Sequence, residues 1–235
     1  MRGGGGEIQM VVWQTLRGSA LADGLTDAEL GAMSGSLGRR TYGKGVFIFH
    51  KDSPGQVLYI IESGQVRLFI ISDMGQEISL NVLGPGEIFG ELAALDGRPR
   101  ASGAVALETT VALTWQREDL LRSLEAYPRL GRNLMEALTA RLRYATRSIE
   151  DLAFLDVNSR VAARLLDLAA RSGVQRGDIE IELSLTQGEL ATWVAASRES
   201  VNKVLAAFRA GGLIALEGSR ITILDGRRLE QQVRY

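Results

Sequence analysis

Between Leu130 and Leu155 the chain has no helix breaker after Gly131. Gly131, Met135, Leu138, Leu142, Ala145, Ile149 and Leu152 step alternately by four and three, which is a heptad seam along one long helix. Arg141, Arg143, Arg147, Ser148 and Glu150 lie off that seam. An amphipathic helix packed only on its own domain carries a broader apolar face. The narrow seam therefore favours a coiled coil with a second copy of the chain through residues 131–152. Leu134 and Tyr144 lie to its side, placed to cover a neighbouring sheet. Pro128 suits the first position of this helix, and Arg117 to Leu124 supplies a shorter helix before it.

Upstream the pattern is different. From Tyr42 to about Trp115, short apolar or β-branched runs alternate with turns. The expected strands are Val46 to His50, Val57 to Ser63, Gln65 to Ser72, Glu77 to Leu83, Ala101 to Ala106 and Val111 to Trp115. Pro54-Gly55, Ser63-Gly64, Asp73-Met74-Gly75 and Gly84-Pro85-Gly86 punctuate them. Many short strands at close spacing predict an antiparallel sandwich or barrel. Before them, Thr26 and Glu29 form a capping box for a short helix over about 26–37. The glycine run Gly3 to Gly6 reads as a frayed tail.

Downstream, Asp156 caps a helix from Val157 to Ala170, which Ser172-Gly173 stops. A polar turn over 175–178 and an alternating strand, Ile179 to Leu183, follow. Thr186, with Glu189 three residues on, opens a helix to about Val194. Ala195-Ala196 makes a tight turn, and Ser197 caps a second helix that reaches Ala210 before Gly211-Gly212. Leu190, Ala191 and Val201 suit closely crossed helices, so this is a helix-turn-helix pattern. Leu213 to Leu216, the turn Glu217-Gly218-Ser219 and Arg220 to Leu224 add a wing. The domains are expected at 1–128, 129–155 and 156–235.

Two places carry chemistry. In the segment from Phe89 to Ser102, Glu91 follows Gly90 and precedes Arg100 by nine residues. A carboxylate accepts from hydroxyls and a guanidinium forks onto phosphate oxygens. Gly90 lets backbone N–H groups approach an anion. The set suits a small ligand with hydroxyls and a phosphate; the ordinary alternative is a salt bridge. At the start of the second short helix, Arg198, Glu199 and Asn202 or Lys203 lie near the solvent side. Arginine and lysine reach guanine and glutamate accepts from cytosine. Gln187 and Ser197 sit at helix starts, where phosphates are met. The ordinary alternative there is a solvated face with a Glu199 to Lys203 pair.

Composition narrows the classes. The chain has 235 residues, a net charge of −1 and no cysteine. A nucleic-acid surface would have to be local. Thiolate-held clusters, zinc fingers and disulfides are excluded. The one histidine, His50, cannot build a multi-histidine metal site, so no metal is expected. No segment reads as a signal peptide or a membrane span, so the cytoplasm is the expected compartment. No catalytic arrangement stands out, and an enzyme is not expected.

Three motifs then carry a resemblance over about Leu21 to Arg228. They are Phe89-Gly90-Glu91-Leu92 with Pro99-Arg100, Leu152-Ala153-Phe154-Leu155-Asp156-Val157, and Leu185-Thr186-Gln187 with Ser197-Arg198-Glu199-Ser200-Val201. With them the chain resembles the catabolite activator protein/FNR family of bacterial transcription regulators. The resemblance implies an α+β fold: an N-terminal antiparallel β-roll of the cyclic-nucleotide-binding jelly-roll kind, a long dimerisation helix and a C-terminal winged helix-turn-helix. It implies cyclic AMP as allosteric effector, with Gly90 and Glu91 on the ribose side and Arg100 on the cyclic phosphate. Thr146 is placed beside the adenine, and Leu92 and Ala101 complete the ligand set. It implies double-stranded DNA, a second copy of the chain and RNA polymerase as partners. Arg198, Glu199 and Lys203 would read palindromic TGTGA-like half-sites, with Gln187, Ser197 and Ser200 beside them.

Three positions depart from the family pattern. Ala101 and Ala145 stand where hydroxyl residues are expected, and two lost hydrogen bonds of about 0.5–1.5 kcal/mol each would weaken effector binding. Lys203 in place of an arginine loses a rigid fork. Two other readings use the same elements: a regulator acting without effector or with another small ligand, and a small-molecule binding module whose helix-turn-helix makes protein contacts.

Overall fold

A computed structural model describes residues 4–172, 182–184, 187–218 and 220–233. By packing, the chain divides into two units. One is the chain up to Ile70 together with Leu80–Arg143; the other is Ile71–Ser79 together with the chain from Tyr144 onward.

Helix α1 (Gly4–Arg17) and α2 (Asp27–Ser34) precede strands β1 (Leu37–Tyr42), β2 (Phe47–Phe49), β3 (Val57–Ser63), β4 (Val66–Ile71), β5 (Glu77–Leu83) and β6 (Ile88–Phe89). Helix α3 (Glu91–Asp96), strands β7 (Gly103–Ala106) and β8 (Thr110–Gln116), and helices α4 (Arg117–Ala126) and α5 (Pro128–Phe154) follow. The strands form two four-stranded sheets, ordered β1-β8-β3-β6 and β2-β7-β4-β5. Every described pairing is antiparallel.

Strand β3 shows why its sequence is almost continuously apolar. Successive side chains point to opposite faces, and both faces of β3 are covered. Tyr59 and Ile61 enter the core shared by the two sheets, with Val66, Leu68, Leu83, Phe89 and Ala104. Leu58 and Ile60 face the other way, into a core with Val12 and Leu16 of α1, Leu30 of α2, Leu120 of α4, and Leu130 and Leu134 of α5. A fully buried aliphatic side chain contributes about 1.5–3 kcal/mol, so this double burial makes β3 the spine of the unit.

The second unit contains α6 (Val157–Ser172), β9 (Glu182–Ser184), α7 (Gln187–Trp193), α8 (Arg198–Ala210), β10 (Ile214–Glu217), β11 (Arg220–Ile223) and α9 (Gly226–Glu230). Its core joins Val161 and Leu165 of α6, Leu190 and Val194, Val201, Leu205 and Phe208 of α8, Ile221 and Ile223 of the wing, and Leu229. Strands pair in the order β10-β11-β9.

Several boundaries differ from expectation. Helix α1 begins at Gly4, inside the run expected to be a frayed tail. Val12 and Leu16 are buried, and this tertiary packing overrides the poor helix propensity of glycine. Strand β1 has no sequence signal: its residues are mostly exposed, so no apolar alternation marks it, yet it pairs with β8 along its whole length. Strand β7 starts at Gly103 rather than Ala101, because Arg100 pairs its backbone with Asp52 and Ser53 and holds the chain in a bend. Ser102 therefore lies outside the strand. Helices α3 and α9 and the two-residue β6 are likewise additions to the expected elements. The turn at 175–178, most of the strand at 179–183, and the cap at Thr186 lie outside the described residues.

Asp156 caps α6 as its sequence position predicts. Its Oδ1 accepts the Ser159 backbone N–H at 2.8 Å. That bond holds its carboxyl below the usual range, so the stabilisation is present above the ordinary carboxylate pKa and disappears as pH falls through the lowered folded-state value. Asp156→Ala is expected to cost the protein about 1 kcal/mol of unfolding free energy at pH 7, and Asp156→Asn much less. Urea denaturation at pH 7 measures both.

Candidate functional site

Strand β6 ends at Phe89, and the chain turns through Gly90 at φ +73° into α3. This turn puts Glu91 at the first position of α3, pointing inward and 2% exposed. Its Oε1 accepts Arg141 Nη1 at 2.6 Å. Arg141 also donates to the Ile88 carbonyl at 2.6 Å, so one guanidinium of α5 ties together both ends of the β6–α3 turn. Glu91 Oε2 is buried with no partner. Arg117 Nη1 donates to the carbonyls of Ala94 and Leu95 and closes the far end of α3.

Arg100 is 4% exposed. Its Nη1 donates to the carbonyls of Val57 (2.9 Å) and Gly90 (2.8 Å), while its Nε is buried without a partner. The guanidinium lies 4.2 Å from the Phe49 ring centroid and 5.7 Å from that of Tyr59, and Tyr59 stacks on Phe89 at 4.7 Å. Burial pulls the guanidinium below its ordinary pKa, with Tyr59 and Glu91 opposing that shift. It remains a cation at neutral pH. Nearby, burial and Tyr59 push the Tyr42 phenol up to about 12, so it stays neutral.

The bed under Arg100 is made of glycine for a steric reason. A Cβ on Gly55 would sit 2.2 Å from Arg100 Nε, and one on Gly90 would sit 2.6 Å from Nη1. Only residues without side chains let the guanidinium lie there. Arg100 is thus a desolvated cation with an unpartnered N–H, and Glu91, next to the Gly90 whose carbonyl Arg100 binds, is a desolvated carboxylate with an unpartnered oxygen. That combination suits a ligand bearing an anion and hydroxyls.

The structure brings Gly90, Glu91 and Arg100 together. Leu92 faces outward on α3, 48% exposed, and Ala101 is exposed in the bend before β7. Thr146 is exposed on α5, in the second unit. Sequence reasoning missed Arg141, Gly55 and Phe49. Arg141 had a readable signal: with Leu134 and Leu138 it forms an i, i+4, i+7 stripe, and both leucines pack into the first unit's core.

At the other site, Ala195 takes φ +48° in the turn between α7 and α8. Ser197 Oγ accepts the Ser200 N–H at 3.1 Å and caps α8. Ser200 Oγ lies 2.9 Å from Ser197 Oγ. Arg198, Glu199 and Lys203 are exposed, and Lys203 Nζ reaches Glu199 Oε1 at 2.9 Å. Gln187 opens α7, half-buried. Among the described residues no cluster could hold a metal ion, and no helix is long and apolar enough to cross a membrane.

Comparison with known proteins agrees with this division of labour. The family described as cyclic nucleotide-binding domain matches residues 39–127, and the Crp-like helix-turn-helix domain matches 159–232. The chain is 36% identical, over 94% of its length and 99% of the relative's, to the CRP-like cAMP-activated global transcriptional regulator of Mycobacterium tuberculosis. It is a member of the CRP/FNR family of transcription regulators. It is also 37% identical to the cyclic AMP receptor protein of Thermus thermophilus, over 92% of this chain and 97% of that one. The solved c-di-GMP responsive global regulator CLP of Xanthomonas campestris matches at 26% identity and a TM-score of 0.76, over 84% of this chain and 99% of that one. As a CRP/FNR-family member the chain is a DNA-binding regulator and not an enzyme.

Arg141→Leu would leave the Glu91 carboxylate buried and uncompensated. It is expected to cost about 2–4 kcal/mol, at or just below the buried-pair range because Arg141 is partly exposed. Adding Glu91→Gln should recover most of that loss. Denaturant melts of the single and double variants measure the coupling, and additive losses would contradict the pairing.

Proposed function

We propose that the chain is an effector-controlled, sequence-specific transcription regulator whose effector is cyclic AMP, bound at Glu91 and Arg100. The observation that carries this reading is the pair of buried, unpartnered atoms, Glu91 Oε2 and Arg100 Nε, beside a glycine bed. Glu91 would accept from the ribose hydroxyl and Arg100 would take the cyclic phosphate. Gly90 and Leu92 line the ribose side, Ala101 follows the phosphate arginine, and Thr146 meets the adenine. The cyclic AMP-named relatives at 36–37% identity favour this nucleotide.

The protein acts as a homodimer through the heptad seam. Met135, Leu142, Ile149 and Leu152 are 62%, 68%, 66% and 45% exposed on one chain, and their 3.5-residue repeat fits a second copy of the same helix. Dimerisation places two α8 helices about one DNA turn apart, roughly 34 Å, on a palindrome of TGTGA-like half-sites. Arg198, Glu199 and Lys203 contact bases, and Gln187, Ser197 and Ser200 contact the backbone. RNA polymerase is the onward partner. The effector shifts the DNA-binding arrangement only through its unequal affinity for the two states.

A second reading has its own support. Ala101 offers no hydroxyl to a cyclic phosphate, and the Xanthomonas relative is c-di-GMP responsive; a different cyclic nucleotide would then use the same wall. Competition of cyclic di-GMP against cyclic AMP separates the two.

Gel shifts at stepped salt test the regulator reading. Wild type should prefer the palindrome over random DNA, and equal affinity would reject it. Arg100→Ala should lose cyclic AMP stimulation while keeping the fold, and Arg198→Ala should lose selectivity of about 1–3 kcal/mol at its base pair. Sedimentation of Ile149→Asp should give monomer where wild type gives dimer.

A further inference from the structure

Arg100 is enclosed by one short stretch of chain, from Phe49 at the end of β2 to Val57 at the start of β3. Its backbone is held from both sides. The Asp52 N–H donates to the Arg100 carbonyl, and the Arg100 N–H donates to the Ser53 carbonyl, each at 2.9 Å. Asp52 takes φ +63° at that bend, a left-handed conformation that Asp adopts more readily than most residues with a side chain. Ser53 Oγ donates to the His50 carbonyl at 2.6 Å and closes the loop on itself. The Arg117 N–H donates to the Gln56 carbonyl at 2.7 Å, so the far end of the loop is anchored at the start of α4.

The same stretch holds the side chain. The Val57 carbonyl, with that of Gly90, takes the protons of Nη1, and Gly55 leaves the space that Nε fills. With Nη1 committed, the edge that carries Nε is left for an anion. Two carbonyls fix where Nη1 sits, but the plane of the guanidinium can still tilt about that point. The Phe49 ring, 4.2 Å away, removes this freedom, because a cation is attracted to the face of an aromatic ring. The ring is itself held in place. It lies 5.8 Å from Tyr59 and 5.9 Å from Phe89 and packs against the core they share. A leucine would fill much of the same volume and offer no face. Ala101 is exposed and brings no hydroxyl to the anion, so the orientation of Arg100 carries more of the contact.

We infer that Phe49 is a positioning residue for the anion site: its ring presets the plane of the Arg100 guanidinium and so raises the affinity for a phosphodiester. An arginine that is already oriented does not have to be ordered at the moment of binding. Phe49 acts here through Arg100 alone and needs no contact with the ligand. This role rests on the reading of Arg100 as the phosphate-binding residue, and the test separates the two.

Wild type, Phe49→Leu and Phe49→Tyr are compared as full chains. Calorimetric titration gives the affinity for cyclic AMP, and nitrogen-15 relaxation of the Arg100 Nε–H gives its order parameter without ligand. Phe49→Leu should bind cyclic AMP about tenfold more weakly, and Phe49→Tyr should restore affinity to within about twofold of wild type. The order parameter should fall in Phe49→Leu and recover in Phe49→Tyr. A ring that only fills space would be replaced by leucine without change in either reading. Equal affinity of wild type and Phe49→Leu, a Phe49→Tyr variant as weak as Phe49→Leu, or an unchanged order parameter would overturn the role. Wild type indifferent to cyclic AMP would reject the effector reading instead, while the fall and recovery of the order parameter would still support Phe49 as the residue that orients Arg100.

Discussion

A carboxylate cannot be buried alone, and Glu91 is almost completely buried. Its partner comes from another element: Arg141 of α5 gives one nitrogen to Glu91 and another to the carbonyl of Ile88. Much of the first unit's arrangement follows from that requirement. The left-handed turn at Gly90 aims Glu91 inward. The stripe Leu134, Leu138 and Arg141 must face the unit, so the seam of Met135, Leu142 and Ile149 faces solvent. The buried Arg100 imposes a second requirement, met by glycine at 55 and 90 and by the face of Phe49. Neither charge is fully satisfied by the protein, and each leaves a buried unpartnered atom.

One helix therefore serves several ends. Its first half carries the core stripe and the Glu91 partner. Of its seam, Met135, Leu142, Ile149 and Leu152 are exposed, while Leu138 packs on the first unit's core. Tyr144, one turn beyond Arg141, meets Arg164 of α6. Arg141, which partners Glu91, and Tyr144 therefore stand on neighbouring turns of a single helix. No wire of remote contacts is required, only two arrangements of that element with different affinity for the effector.

The elements with strong local signals were legible in the sequence. The heptad seam gave α5 within two residues at each end. Asp156 and Ser197 were readable as caps because short polar side chains before apolar periodicity have a specific use there. Strands β3 and β5 matched their apolar runs. What escaped depends on tertiary context. Strand β1 has exposed, charged residues and exists because β8 offers an edge. Helix α1 starts among glycines because Val12 and Leu16 find the core. At the site, Glu91 and Arg100 were readable as a type of chemistry, and the stripe with Leu134 and Leu138 marks the face of α5 that Arg141 lies on. That Arg141 meets Glu91 and Gly55 meets Arg100 depends on proximity across 50 and 45 residues of chain, which no local pattern encodes.

Calorimetric titration of cyclic AMP into the wild-type chain and into Glu91→Gln asks whether the unpartnered Glu91 oxygen and Arg100 nitrogen are the polar half of a cyclic nucleotide site. Wild type should bind saturably at one nucleotide per chain, and binding should weaken by about tenfold or more when the carboxylate becomes an amide. Absence of binding to wild type, or equal affinity in the two proteins, would contradict it.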